Sequence, residues 1–207
     1  DKNNVLADFL ATGTYDRKRP FYTTTSPSMD ILVSSNLERM LYYLAEGDCE
    51  LVADLMSKLT DEGNYQIPAE LLERIRTVFD GGWADEDQVA AAIRRCWDEN
   101  GYVIDPHTAC GYHVMEQTAA VEGTACRVLL STASPYKFPK AVAEALGLFC
   151  PPDDFACMEV LAKHTGTTAP AQLAELKTKP VRFEDVVDVA DMGSYVEQAA
   201  NRIAGEA

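Results

Sequence analysis

Residues 101–146 read GYVIDPHTACGYHVMEQTAAVEGTACRVLLSTASPYKFPKAVAEAL, and this stretch decides the fold. Gly101 leads into YVID, a predicted short strand. Pro106 then stands at a first helical position with Asp105 as its N-cap, so a helix is expected through TACGYHVMEQTAA. CRVLLST (126–132) is the strongest strand signal in the chain, a continuous apolar run of the kind that burial on both faces requires. Pro139 opens a further helix, KAVAEALG. Strand, helix, strand, helix implies parallel pairing through a right-handed crossover, and so an α/β fold.

Outward from this unit the pattern becomes helical. Towards the N-terminus, Asn4 to Thr12 is a short apolar-faced helix closed by Gly13. Ser35 and Glu38 have capping-box spacing ahead of LERMLYYLAEG, and Gly47 ends that helix. Asp48 begins the next, through DCELVADLMSKL. Pro68 opens AELLERIRTVF, the Gly81-Gly82 pair breaks it, and Asp85 to Trp97 makes one more helix. After Pro151-Pro152 helices are expected over Asp153 to Thr165, Pro170 to Leu176 and Met192 to Ala204, with VRF (181–183) as an edge strand. The organisation is therefore a helical segment over 1–100, a βαβα unit over 101–150, and a helical region over 151–207. Two strands cannot make a stable sheet covered on both faces. The missing strands are expected from polypeptide outside these residues, which makes the chain a fragment. CRVLLST should then be covered on both faces or paired across an interface, including by self-association through exposed strands.

Composition narrows the function classes. With 47% hydrophobic and 25% charged residues the 207-residue chain is globular. A net charge of −15 argues against nucleic-acid or anionic-membrane partners, which need a basic footprint. A small phosphorylated ligand stays open, because a few local donors suffice for it. No run of about 18 apolar residues suggests a membrane span, and DKNNVLADFL does not look like a signal peptide. The six cysteines form no CxxC pair, and with three histidines no metal-ligand spacing appears. Free thiols in a reduced, cytoplasmic setting are expected.

Three runs could carry chemistry, and each also has a plain reading. In STASPYKFP (131–139), Ser131 and Thr132 end the apolar run; such hydroxyls more often cap a turn. In DPHTACGYH (105–113), His107 and Thr108 decorate a helix start, where unpaired N–H groups would face a ligand lying over strand ends. In SPSMDILVSSNLER (26–39), Ser34 and Ser35 cap a helix and Arg39 pairs with a carboxylate such as Glu46 or Asp48. A second reading has Asn36 and Arg39 bind a phosphate there.

Together these runs resemble the C-terminal part of threonine synthases, enzymes that use pyridoxal 5'-phosphate (PLP) and have a tryptophan-synthase-β-like fold of type II. The resemblance extends from DKNNVLADFL to KPVRFEDVV near residue 180. It implies conversion of O-phospho-L-homoserine and water to L-threonine and phosphate, a lyase reaction of threonine biosynthesis. It implies that the Thr132 hydroxyl, with Ser131 beside it, stands against the pyridine nitrogen of PLP, although Ser134 departs from the histidine usual two positions after that threonine. Asn3, Asn36, Arg39, His107 and Thr108 become candidates for substrate or phosphate contacts; Asp1 stands where the family carries a further Asn ahead of Asn3. The family's Schiff-base lysine lies in a Phe-Lys-Asp run, which this chain lacks, and Lys137 belongs to PYKFP instead. No catalytic residue is therefore expected here. The chain alone should be inactive and should not hold PLP, its partner being the N-terminal remainder of the enzyme. The rival readings are a non-catalytic acidic binding module and a degenerate paralogue.

Overall fold

A computed structural model describes residues 1–118 and 126–205. The N-terminal half begins with α1 (Val5–Thr12), which Gly13 closes in the left-handed conformation at φ 75°. The chain turns directly into β1 (Thr14–Asp16), then runs through an irregular stretch and a 3-10 turn at Pro27–Met29. Helices α2 (Leu37–Leu44) and α3 (Cys49–Asp61) follow, then β2 (Asn64–Gln66) and α4 (Ala69–Arg76). The two strands pair antiparallel with Tyr15 opposite Tyr65, and their rings stack 5.4 Å apart beneath Phe9. Val5, Phe9, Leu41, Leu55, Leu71 and Ile75 fill the core around them.

A second core begins at Ala84. Helix α5 (Glu86–Asn100) starts with a capping box between Asp85 and Gln88 and packs against α6 (Pro106–Gln117) and α7 (Pro139–Ala145). Helix α8 (Asp154–Thr165) packs on α7, and Val89, Ile93, Ile104, Val142 and Leu161 are buried among them. A single turn, α9 (Ala171–Ala174), ends this first compact unit of residues 1–174. Residues 175–207 form a second unit. Its parts are 3-10 turns at Glu175–Lys177 and Val189–Asp191 and the helix α10 (Met192–Gly205), with Tyr195 Oη donating to Asp185 Oδ2 at 2.6 Å.

The helix-rich α/β reading holds, but its sheet is elsewhere. Among the described residues the only strands are the antiparallel pair β1–β2; 102–104, 126–132 and 181–183 form no ladder. A strand needs a neighbour for its backbone groups, and none of these segments has one among the described residues. CRVLLST is not covered on both faces either, since Val128 is 79% and Leu130 76% exposed. The Ser35–Glu38 capping box does not form: α2 starts after Asn36, whose side-chain amide oxygen accepts from Arg39 instead. Arg39 therefore does not pair with Glu46, which meets Arg74 at 2.8 Å, or with Asp48, which caps Leu51 N–H at 2.9 Å. Helix α6 ends at Gln117, and Ala119 and Ala120, expected to extend it, lie outside the described residues. Two of the six expected free thiols, Cys150 and Cys157, are joined in a disulfide across the start of α8; Cys49, Cys96, Cys110 and Cys126 are free. No helix among the described residues is long and apolar enough to cross a membrane.

Candidate active-site edge

The centre of the site is Asp105, a fully buried carboxylate at the N-terminus of α6. Its side chain accepts from the two N–H groups that this helix start leaves free behind Pro106, those of His107 and Thr108, at a helix end where negative charge is favoured. Oδ2 accepts from His107 N–H at 2.9 Å and lies 2.7 Å from His107 Nδ1. Oδ1 accepts from Thr108 N–H at 3.2 Å and from the Thr108 hydroxyl. Pro106 takes the first helical position, where no N–H is needed.

Two other motif segments close on this carboxylate. Ser28 N–H, from the Ser26–Asp30 loop, donates to His107 Nε2 at 3.1 Å. Phe138 packs its ring 4.7 Å from the imidazole. Ser131 Oγ lies 3.2 Å from Thr108 Oγ1. A hydroxyl has one proton, and the Asp105 oxygen is the nearer acceptor for that of Thr108, so serine donates in the Thr108–Ser131 pair. The polar chain thus runs from Ser131 through Thr108 to Asp105, and from Ser28 through His107 to the same carboxylate.

Residues 127–131 run alongside α6 in a fixed register. Arg127 Nη1 donates to the carbonyls of Met115 (2.5 Å) and Thr118 (3.3 Å) at the helix C-terminal end, Leu129 lies over Gly111, and Ser131 meets Thr108. Two residues of extended chain rise about 6.6 Å and four of helix about 6 Å, so odd-numbered residues stay on α6 along its length. Gly111 makes this approach feasible: a Cβ there would sit 2.8 Å from Leu129 Cδ1. Leu129 is half-buried, whereas Arg127 and Ser131, although bonded to α6, are exposed like Val128, Leu130 and Thr132, and Thr132 makes no hydrogen bond to another described residue.

The other expected residues lie apart. Asn3 is buried, and every polar atom of its side chain is in use: Nδ2 donates to Tyr22 O (2.8 Å) and Asp30 Oδ1 (2.9 Å), and Oδ1 accepts Tyr22 N–H (2.9 Å). It ties the N-terminus to the Ser26–Asp30 loop. Asn36 and Arg39 bond to each other at the start of α2, and Arg39 borders a separate cavity of about 320 Å³ with Tyr42, Tyr43 and Cys49. The larger cavity, about 720 Å³, is walled by Met29, His107, Cys110, Gly111, Val114 and Val128 among others. Burial pushes the Cys110 thiol up from its ordinary range, so it is a poor nucleophile. No group of three or more His, Cys, Asp or Glu that could hold a metal occurs among the described residues.

Sequence reading named His107, Thr108, Ser131 and Thr132 but saw Asp105 only as a helix cap, and it missed Ser28 and Phe138. Ser28 contributes its backbone N–H, which no residue type announces. Phe138 carried no signal beyond its place in the PYKFP run.

Comparison with known proteins adds an independent line. The family model described as "Threonine synthase, C-terminal" matches residues 108–196. Human "Threonine synthase-like 1" is 39% identical over 148 residues, covering 70% of this chain and 20% of that protein. Threonine synthase of Eremothecium gossypii is 33% identical over 213 residues, covering 96% and 40%. The solved PLP-bound threonine synthase of Brucella melitensis superposes with a TM-score of 0.77 at 34% identity, over 95% of this chain and 38% of that one. The chain thus spans between a fifth and two-fifths of the length of these relatives.

Proposed function

We propose that this chain, whose sequence and backbone match the C-terminal part of threonine synthases, supplies the ring-nitrogen side of a PLP site in a lyase that converts O-phospho-L-homoserine and water to L-threonine and phosphate. The observation that carries the reading is the convergence of the three motif runs on Asp105, with the Thr132 hydroxyl left exposed one residue beyond the anchored Ser131.

The residues present fit one side of the cofactor. A neutral hydroxyl without a partner among the described residues is what a pyridine nitrogen would meet at Thr132, and the Asp105–Thr108–Ser131 chain would hold that hydroxyl in place. PLP, when bound, supplies an electron sink for the substrate carbon; a hydroxyl contact, unlike a carboxylate, leaves the ring nitrogen unprotonated and moderates that sink. The phosphate cup and the Schiff-base lysine are not offered: no Phe-Lys-Asp run occurs, and Lys137 is exposed with its Nζ 5.5 Å from the Phe138 ring. Both would come from an N-terminal portion, which the exposed face of 126–132 would receive by strand pairing. The chain alone is therefore proposed to be inactive.

The test has two parts. Incubation of the 207-residue chain with PLP, then borohydride reduction and peptide mapping, should yield no stoichiometric pyridoxyl-lysine. Joined to an upstream portion bearing the lysine run, the same chain should release phosphate from O-phosphohomoserine. A pyridoxyl-lysine on the isolated chain, or no phosphate release from the joined protein, would sink the proposal. The second outcome would favour a degenerate paralogue.

A further inference from the structure

We propose that His107 is a positioning residue, held as its Nδ1–H tautomer, that locks the Ser26–Asp30 loop to the start of α6 and fixes the carboxylate from which Thr108 and Ser131 are suspended. Its partners leave one proton arrangement. Asp105 Oδ2, 2.7 Å from Nδ1, only accepts, so Nδ1 carries the hydrogen. Ser28 N, 3.1 Å from Nε2, only donates, so Nε2 presents its lone pair. Both ring nitrogens are then spent inside the chain, and the side chain is 11% exposed. Its ring is set by Phe138 at an interplanar angle of 53°.

This separates His107 from direct substrate contact, which is the role the sequence left open for it. With both nitrogens engaged it has no donor for a phosphate and no free lone pair for a proton. Histidine suits the task because it reaches two partners on opposite sides at once. An asparagine could mimic the Nδ1 donor towards Asp105, and a glutamine could place an oxygen near Ser28, but neither does both. The link from Asp105 to Ser131 and on to the cofactor side rests on the proposed function; the tautomer and the loop tether do not.

The experiment reads those two features directly, without cofactor. In the full chain labelled with 15N-histidine, long-range proton–nitrogen spectra near pH 8, where an ordinary imidazole is neutral, should show His107 protonated at Nδ1 and bare at Nε2. His107→Asn and His107→Ala should speed amide exchange at Ser28 about fivefold, the factor for one lost hydrogen bond of about 1 kcal/mol, whereas His107→Gln should leave it near that of the unmodified chain. Should the alanine variant fail to fold, the tautomer of the unmodified chain decides alone. An Nε2–H tautomer at His107, or Ser28 exchange unaffected in the asparagine variant, would overturn the proposal. Either result would leave the PLP reading standing, because that reading is tested by phosphate release.

Discussion

Replacing Asp105 by asparagine changes almost nothing in shape and removes one acceptor. Each carboxylate oxygen serves two hydrogens, those of His107 on Oδ2 and those of Thr108 on Oδ1. The amide must turn its NH2 towards one of these pairs. The less costly choice is Thr108, whose hydroxyl can rotate towards Ser131, but Thr108 N–H then stays buried without a partner. An unsatisfied buried donor costs about 1–3 kcal/mol, so about 2 kcal/mol is expected, or a fall in Tm of roughly 4–8 °C for a chain of this size. Asp48→Asn is the matched control, because Asp48 also caps a helix but is exposed and serves only Leu51 N–H; asparagine caps about as well as aspartate, so its Tm should not move. Thermal and urea unfolding followed by tryptophan fluorescence would report on α5, which carries Trp97 and packs directly on α6, once Trp83 is replaced by phenylalanine in all variants. Equal shifts for the two variants would refute the view that Asp105 holds more than a helix start.

Thr132→Val should leave the stability of the isolated chain unchanged, since the residue is exposed. In a PLP-loaded enzyme containing this chain it should shift the cofactor absorbance and lower kcat roughly threefold to tenfold, the worth of one hydrogen bond. Alkylation and mass spectrometry should find Cys49 and Cys126 modified quickly, Cys96 and Cys110 only on unfolding, and Cys150 and Cys157 only after reduction. Tyr65 is buried, its hydroxyl has no partner among the described residues, and burial raises its pKa above the usual tyrosine value, with Tyr15 raised likewise. A raised pKa gives stability that is complete below about pH 10 and lost as pH climbs beyond it. Tyr65→Phe should therefore be neutral or stabilising at pH 7 and should move alkaline unfolding, followed by tyrosinate absorbance, to higher pH.

What the sequence disclosed was mostly local. Helix ends were legible because their chemistry sits within four residues: Asp105 caps α6 as expected, Asp48, Asp85 and Asp153 cap where helices were expected to begin, and Gly13 takes the left-handed turn. The Ser35–Glu38 spacing misled because a neighbour, Asn36, became the boundary residue and Arg39 drew its side chain away. The strands failed for the opposite reason. CRVLLST has the composition of an interior strand, but a strand is completed by another strand distant in sequence, and none pairs with it among the described residues. TYD and NYQ pair instead, three residues each with no apolar run, and neither was expected as a strand; what they share is that Gly13-Thr-Tyr-Asp and Gly63-Asn-Tyr-Gln both follow a helix end with a glycine at positive φ. Thr108 and Ser131 could be named as candidates, whereas their meeting depends on how 127–131 runs along α6.

That register constrains what the other face of the segment can do. Arg127, Leu129 and Ser131 are committed to α6 by a helix-end carbonyl, a glycine gap and a hydroxyl, so the segment cannot rotate to hide Val128 and Leu130 without breaking all three contacts. Thr132 is exposed too, two residues from Leu130. A partner that covered those apolar side chains would therefore also reach the Thr132 hydroxyl. Burial of Val128 and Leu130 is worth about 1.5–3 kcal/mol each, so assembly of that face and closure of the site around Thr132 would be driven by the same contact. Loss of Leu130, as in Leu130→Asp, should then weaken cofactor retention in the joined protein while leaving the fold of this chain intact, and unchanged retention would separate the two events.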